Sequence, residues 1–258
     1  MLFDCHLHST ISPDAQSPIL DMCRAAVRKG ASVICFTEHF DLNPADSGFR
    51  YYDHEKYVSE LEQAKRVYSG KIEMLFGIEF SEPQQYPKDF ELMTKKNFDF
   101  ILGSVHAIRD TWAGAEDILR KYSAEKIFEM HYAETLKMVQ FGGFDALAHM
   151  DFPRRFIDDY KEPFRLIDPI LSAIIRSNIS LELNSSPLRK GKDFALPSSA
   201  ILQRYTDLGG RRVTAGSDAH HADEICAGRE YLAAQMASYQ LESVVYRRRK
   251  PCREKFEG

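Results

Sequence analysis

The segment MLFDCHLH, residues 1–8, combines an apolar run with two histidines, His6 and His8, that are one residue apart. Side chains at positions i and i+2 of a β-strand lie on the same face. If this segment is a strand, both imidazoles therefore point in one direction. The segment predicts a buried strand that ends in a pair of polar side chains, and the rest of the chain repeats this arrangement.

Further apolar runs of strand length follow at 31–39, 71–80, 98–107, 144–152, 179–186 and 211–221. Stretches of helical length lie between them, at 17–30, 54–70, 123–143, 163–178 and 197–210, and several carry apolar residues at i, i+3, i+4 and i+7. Strands that alternate with helices pair in parallel, and continuous apolar runs indicate strands covered on both faces. The pattern predicts one α/β domain over residues 1–258, and leaves open a closed barrel or an open doubly wound sheet.

The composition is that of an ordinary globular protein, with 258 residues, 44% of them hydrophobic, and a net charge of -4. This charge gives no indication of a nucleic-acid or membrane partner. The five cysteines form no C-x-x-C pair, and no signal-peptide pattern or membrane-length apolar run is present. We therefore expect a cytoplasmic protein with reduced thiols. The basic segment 240–258 is expected to be an edge strand or a tail, and the oligomeric state is not indicated.

Every predicted strand ends in His, Asp, Glu or Asn. These residues are His6, His8, Glu38, His39, Glu79, His106, His149, Asp151, Glu182, Asn184, Asp218, His220 and His221. In parallel α/β folds the carboxyl ends of the strands lie on one side of the sheet, where ligand sites are built. Burying so many polar groups at the rim of a core costs free energy unless they have binding partners. Metal ions would be such partners.

Imidazoles and carboxylates without thiolates suit Zn, Mn or Fe, and argue against a structural cysteine-rich zinc site. More than four candidate ligands imply more than one ion, and Glu79 is a natural bridge between two. Several ions around a shared hydroxide are typical of hydrolysis. Two pairs of cations, Arg154-Arg155 and Arg189-Lys190, follow the fifth and sixth strands and could hold a phosphate.

The motifs DCHLHS (4–9), SPDA (12–15), FTEH (36–39), GIEF (77–80), GSVH (103–106), AHMDF (148–152), ELNSS (182–186) and GSDAH (216–220) resemble, in order and spacing, the polymerase-and-histidinol-phosphatase (PHP) superfamily. The length and the SPDA and N-x-x-x-L-R-K elements are similar to its histidinol-phosphate phosphatase branch. The resemblance covers residues 1 to about 221 and implies a distorted (βα)7 TIM-like barrel. It also implies that the protein hydrolyses L-histidinol phosphate, a small-molecule monoester of histidine biosynthesis, through a metal-bound hydroxide.

The resemblance further implies three divalent metal ions, of which Zn, Mn, Fe and Co are all candidates. The first ion would take His6, His8, Glu79 and Asp218; the second Glu79, His106 and His149; the third Asp14, His39 and His220. Arg154 and Arg189 would hold the substrate phosphate. Glu38 and Asp151 are expected to orient the histidines rather than bind metal, and Arg155 is placed with them beside the site.

Three alternatives stay open. The first is another phosphoesterase of the same superfamily: a nucleotide phosphatase, a nuclease or a phosphotyrosine phosphatase. A nuclease should carry a basic groove with aromatic platforms, whereas the basic cluster here is confined to 247–255. The second is an amidohydrolase, which typically has a lysine where this chain has His106. The third is a module that binds metal without catalysis.

Overall fold

The computed structural model describes residues 1–158 and 160–258, which form an α/β structure. The strands are β1 Phe3–Leu7, β2 Val33–Phe40, β3 Glu73–Ser81, β4 Phe100–Ser104, β5 Ala107–Ile108, β6 Thr111–Trp112, β7 Ala146–Leu147, β8 Ser180–Asn184, β9 Arg212–Gly216, β10 Glu242–Arg247 and β11 Lys250–Arg253. The helices are α1 Ile19–Arg28, α2 His54–Val67, α3 Pro87–Thr94, α4 Glu116–Lys121, α5 Ala124–Phe141, α6 Phe164–Arg176, α7 Ser186–Arg189, α8 Ser199–Asp207 and α9 Arg229–Ser238. Short 3-10 turns cover Phe152–Arg155 and Ala222–Glu224.

Seven parallel strands form a closed barrel in the order β1-β2-β3-β4-β7-β8-β9. The seam between β9 and β1 is closed by a parallel bridge from Leu7 to Ala219. Two backbone hydrogen bonds of 2.8 Å, from Asp218 N to His6 O and from His8 N to Ala219 O, reinforce it. The predicted seven-stranded barrel is therefore confirmed, and the open doubly wound sheet is not formed.

Local sequence signals determine where the helices begin and end. Asp53, Ser123 and Ser198 each accept a hydrogen bond from a backbone N–H of the first turn of the following helix, which satisfies a donor that the helix leaves free. Gly30 follows α1 with a φ of +78°, a left-handed conformation that glycine adopts without strain. These boundaries agree with the predicted helical stretches to within a few residues at each end.

The C-terminal hairpin of β10 and β11 covers the amino-terminal end of the barrel. Tyr246 stacks on Phe100 with ring centroids 5.2 Å apart, and its hydroxyl donates to the carbonyl of Asp145. Arg247 donates two hydrogen bonds of 2.7 Å to Glu73 at the start of β3. The basic run predicted as an edge strand or tail is thus partly ion-paired on the barrel, opposite the end where the polar residues gather.

His131 lies in the middle of α5. The imidazole is buried, and its Nε2–H donates to the carbonyl of Met150 at 3.0 Å. Burial lowers the pKa of His131 to about 3, so the folded protein holds this imidazole neutral. His131 therefore supports, by packing and one hydrogen bond, the loop that follows β7.

No helix among the described residues combines the length and the apolar character that crossing a membrane requires.

We predict that His131 makes the unfolding free energy depend on pH. Its folded-state pKa of about 3 lies below the unfolded value of about 6.5. The unfolded chain therefore binds the extra proton, and stability is lost as the pH falls below about 6.5. In urea unfolding with chelator present, the stability difference between the wild type and His131→Gln should shift by about 2 kcal/mol against the wild type from pH 7 to pH 5. An equal difference at both pH values would show that folded His131 accepts a proton.

Candidate metal centre

The carboxyl ends of the barrel strands surround a cavity of about 780 Å³. Its lining residues include the candidate ligands Asp14, His39, Glu79, His106, His149, Asp218 and His220. His6 and His8 lie directly beneath, fully buried at the end of β1 and just beyond it. The parallel barrel therefore brings all nine side chains predicted as metal ligands to one end of the molecule.

The first set of candidate ligands is buried at the seam between β1 and β9. The Nε2 atoms of His6 and His8 are 3.0 Å apart. Oδ1 of Asp218 lies 3.7 Å from His6 Nε2 and 3.5 Å from His8 Nε2. Oε2 of Glu79 lies 3.2 Å and 3.5 Å from the same two nitrogens. Four ligand atoms thus converge on one point.

The second set shares Glu79 with the first but uses its other oxygen. Oε1 of Glu79 lies 2.9 Å from His149 Nε2 and 3.3 Å from His106 Nε2, and these two nitrogens are 3.3 Å apart. One carboxylate therefore faces both sets at once. This is the geometry expected of a carboxylate that bridges two ions.

The third set is closest to the cavity mouth. Oδ2 of Asp14 lies 3.2 Å from His220 Nε2 and 3.6 Å from His39 Nε2. Asp14 comes from the loop after β1, His39 from β2 and His220 from the loop after β9. Nδ1 of His39 is also 3.2 Å from Glu79 Oε2, so the third set adjoins the first.

These separations fit metal ligation. Ligands held at about 2.0–2.2 Å from a tetrahedral zinc ion are about 3.3–3.6 Å from one another. The three sets have ligand-to-ligand distances between 2.9 and 3.7 Å. In three overlapping groups of side chains, His6-His8-Asp218, His39-Glu79-His106 and His8-His39-His220, all the ligand atoms lie within 4.8 Å of one another. The donor set is nitrogen and oxygen without sulfur, as a hydrolytic site prefers.

Hydrogen bonds from the opposite ring nitrogen orient several of these histidines. His8 Nδ1 lies 3.3 Å from the hydroxyl of Ser12, and this hydroxyl donates to Glu38. The Ser12 proton is used in that bond, so His8 must donate from Nδ1. The free lone pair of His8 is then on Nε2, which faces the ligand cluster.

A second carboxylate–serine–histidine chain fixes His106 in the same manner. The Ser81 hydroxyl donates to Asp41, and His106 Nδ1 lies 3.0 Å from the Ser81 oxygen. His220 donates from Nδ1 to the carbonyl of Asp218 at 3.0 Å. The sequence does not predict Ser12, Ser81 or Asp41 as site residues, because their role depends on contacts between segments that are distant along the chain.

Glu182, a carboxylate near the end of β8, is a further residue of the site whose role the sequence does not predict. Oε1 of Glu182 accepts from His6 Nδ1 at 2.5 Å, and Oε2 accepts from the backbone N–H of His149 at 2.7 Å. One buried carboxylate thus orients a member of the first set and the backbone of the second. Its position at a strand end, like that of Glu79, is the sequence feature from which its role in the site could have been predicted.

The other three residues placed beside the site have different surroundings. Glu38 accepts from Ser9 and Ser12 and reaches His8 through Ser12. Asp151 accepts from Ser198 N at 2.9 Å, and in the described part of the chain no histidine lies among its hydrogen-bond partners. Arg155 pairs directly with Oδ2 of Asp218, whose Oδ1 faces the first set.

The two arginines after β7 diverge. Arg155 lines the cavity, whereas Arg154 lies beside it, paired with Glu162 at 2.7 Å and stacked on Phe194 at 4.6 Å. Arg189 and Lys190, which follow β8, both line the cavity. The cavity is therefore lined by Arg155 from the first pair of cations and by both Arg189 and Lys190 from the second.

The electrostatics of the cluster favour ionised carboxylates and an unprotonated His8. Burial alone would raise the pKa of Glu79, but His6, His106 and His39 hold it well below its usual range. Burial opposes ionisation of Asp218 as well, and Arg155 and His6 lower its pKa well below the usual value. Burial together with His39 and His220 lowers the pKa of His8. Metal ions are bound by these deprotonated forms.

Two candidate ligands have a left-handed backbone conformation, His149 with φ of 21° and Asp218 with φ of 56°. Residues other than glycine adopt such values at an energetic cost, and they concentrate at functional sites. At Asp218 this conformation coincides with the backbone bond to His6 that closes the barrel seam. Closure of the fold and orientation of a ligand therefore depend on the same residue.

Comparisons with known proteins agree with this geometry. The family described as PHP domain matches residues 4–186. A probable histidinol-phosphatase of Clostridium acetobutylicum is 31% identical over 233 residues, covering 87% of this chain and 89% of that protein. A probable histidinol-phosphatase of Thermotoga maritima is 30% identical over 245 residues, covering 93% and 94% respectively.

The fold also matches a crystal structure of histidinol phosphate phosphatase from Lactococcus lactis subsp. lactis, complexed with Zn, L-histidinol and phosphate. The TM-score is 0.87 at 24% sequence identity, and the match covers 97% of this chain and 98% of the other. At this identity the match establishes the shared barrel, and it carries no residue roles.

Replacing Glu182 by Gln should weaken zinc binding by about 10- to 100-fold, because the hydrogen bond that orients His6 loses its charged acceptor. Competition with a chromophoric chelator measures this affinity. Glu242→Gln, at a half-buried glutamate of β10 paired with Arg253, is the matched control and should bind zinc like the wild type. Unchanged zinc affinity in Glu182→Gln, with normal folding, would mean that Glu182 does not orient a ligand.

Proposed function

The chain belongs to the PHP domain family, and we propose that it is a metal-dependent phosphatase that hydrolyses L-histidinol phosphate to L-histidinol and phosphate. The observation that carries the proposal is the bridging position of Glu79 between two buried ligand sets, beside a cavity with cations at its wall. Two relatives at 30% and 31% identity bear the name of this activity.

We propose three divalent ions, one for each ligand set. His6, His8, Glu79 and Asp218 hold the first, Glu79, His106 and His149 the second, and Asp14, His39 and His220 the third. Nitrogen and oxygen ligands of this kind accept Zn, Mn, Fe or Co. Such ions lower the pKa of water and neutralise charge on a phosphate ester. The protein orients the imidazoles by hydrogen bonds from His6 to Glu182, from His8 to Ser12 and from His106 to Ser81.

The phosphate is held by Arg155, Arg189 and Lys190. Arg189 is positioned by a hydrogen bond of 2.9 Å to the carbonyl of Asp218 and by Glu224 at 3.3 Å. Arg155 is positioned by the Asp218 carboxylate. The sequence predicts Arg154 for this role, and we propose Arg155 instead, because Arg155 lines the cavity whereas Arg154 pairs with Glu162 and stacks on Phe194.

A small monoester fits the distribution of charge better than a nucleic acid does. Three cations at one cavity suit the dianionic end of a phosphate monoester. The basic run at Arg247–Lys250 lies at the amino-terminal end of the barrel, where Arg247 and Arg249 pair with Glu73 and Asp145. Those paired arginines are therefore remote from the cavity.

We also propose that the protein functions in the cytoplasm, as part of histidine biosynthesis. All five cysteines are free thiols, and four of them are buried, which suits a reducing compartment.

The purified protein, supplied with Zn, Mn, Co or Fe, should release phosphate from L-histidinol phosphate with higher kcat/KM than from nucleotides, phosphotyrosine or single-stranded DNA. Chelator should abolish the release, because it removes the ions from the ligand sets. Phosphate release by a colorimetric assay measures both effects. If a metal-loaded sample cleaves another ester and leaves L-histidinol phosphate intact, the substrate assignment is wrong and the metal centre stands.

Arg155→Ala and Arg189→Ala should each lower kcat/KM by about 10- to 100-fold, because each removes a charged hydrogen bond to phosphate. Arg66→Ala, at an exposed arginine in the last turn of α2, is the control and should behave like the wild type. Metal content, measured on each variant, separates loss of phosphate binding from loss of an ion, since Arg155 also contacts Asp218. A larger loss of kcat/KM in Arg154→Ala, at unchanged stability, would return the role to Arg154.

A further inference from the structure

Asn184, the last residue of β8, is a polar side chain with no exposed surface, and neither the ligand sets nor the phosphate-binding cations account for it. Its backbone N–H donates to the carbonyl of Leu196 at 2.7 Å, and its own carbonyl accepts from the N–H of Leu196 at 2.9 Å. The backbone therefore holds this amide in place. A buried amide costs free energy unless its donors and its acceptor are bonded.

The side-chain amide of Asn184 bonds at both ends. Its Nδ2 donates to Oε2 of Glu182 and to Oδ2 of Asp218, each at 3.2 Å. Its Oδ1 accepts from the backbone N–H of Ser186 at 3.0 Å. Ionised carboxylates only accept and a backbone N–H only donates, so the two ends of the amide cannot exchange. Asn184 thus joins two carboxylates of the metal centre to the turn that begins α7.

Asp218 uses its two oxygens differently. Oδ1 faces the first ligand set, 3.7 Å from His6 Nε2 and 3.5 Å from His8 Nε2. Oδ2 accepts from both Asn184 and Arg155. Two donors on Oδ2 keep Oδ1 directed at the imidazoles. The donors differ in kind, because the amide is uncharged and buried, whereas the guanidinium is charged and lines the cavity.

The bond from Arg155 to Asp218 competes with phosphate binding. Among the described residues, Asp218 is the one carboxylate with which Arg155 pairs. A dianionic phosphate in the cavity attracts the same guanidinium more strongly than a single carboxylate oxygen does. When Arg155 turns to the phosphate, Oδ2 of Asp218 keeps a donor through Asn184.

We infer that Asn184 is a positioning residue, whose amide keeps Oδ1 of Asp218 on the first ligand set while Arg155 turns to the substrate phosphate. The inference rests on the proposed function, since it takes Arg155 as a phosphate-binding group. The other end of the amide fixes the turn from which Arg189 extends, and Arg189 donates to the carbonyl of Asp218 at 2.9 Å. One amide therefore relates a ligand carboxylate to both arginines.

A double-mutant cycle on zinc affinity tests the shared oxygen. Asn184→Ala and Arg155→Ala should each weaken zinc binding severalfold, because the other donor remains on Oδ2. The double variant should lose about tenfold more than the product of the two single losses. Competition with a chromophoric chelator, in the absence of substrate, measures each affinity.

Asn43→Ala is the matched control for the loss of a buried asparagine. Oδ1 of Asn43 likewise accepts a backbone N–H two residues along the chain, from Ala45 at 3.0 Å. In the part of the chain that the structure describes, its amide donates to no candidate ligand. This variant should bind zinc like the wild type.

A second cycle, on the Kd of inorganic phosphate, should show coupling of the opposite sign. Calorimetric titration measures this Kd at zinc concentrations that saturate each variant. Arg155→Ala should raise the Kd about tenfold in the wild-type background, because a charged hydrogen bond is lost. In the Asn184→Ala background Arg155 stays on Asp218, so the same substitution should raise the Kd only about twofold. A general loosening of the fold would not couple the two residues in opposite directions.

Additive losses in either cycle would overturn the inference, because Asn184 and Arg155 would then act independently on Asp218. Asn184→Ser keeps the cycles usable where alanine prevents folding. Its hydroxyl can still accept from Ser186, but it is too short and has too few hydrogens to donate to both carboxylates. Neither cycle involves turnover. A wild type that leaves L-histidinol phosphate intact therefore contradicts the proposed function, whereas additive cycles contradict the role of Asn184.

Discussion

The carboxylate of Glu79 is the interaction on which the whole centre depends. It is buried at the middle of the barrel mouth, with one oxygen 2.9 Å from His149 and the other 3.2 Å from both His6 and His39. A buried carboxylate surrounded by imidazoles is costly unless positive charge compensates it. The polar interior of this barrel end is therefore consistent with a stable fold when cations occupy the three ligand sets.

The ring nitrogens that face away from the cluster explain why the imidazoles keep their orientation. Glu182 holds His6 directly, whereas Glu38 and Asp41 act through Ser12 and Ser81. Each bond fixes the proton on Nδ1 and leaves Nε2 as a ligand. The barrel strands bring the imidazoles to one end of the molecule, and these buried hydrogen bonds orient the Nε2 lone pair of each one.

The wall above the centre is shared between loops of different strands. Cations from the loops after β7 and β8 line the cavity, and most of the other lining residues come from the ends of the remaining strands and the loops after them. A barrel makes this division possible, since each loop can change while the strands that carry the ligands stay in place.

Local sequence patterns are sufficient to predict the alternation of strands and helices, the polar residue at each strand end and the pairing of His6 with His8. These follow from local periodicity and from the rule that parallel strands end on one side. The tertiary structure alone decided the closure of β9 on β1, the partners of Glu182 and the divergence of Arg154 from Arg155. Neighbouring residues in a tight turn point in different directions, and contacts between distant loops leave no periodic signal, so no local pattern could specify them.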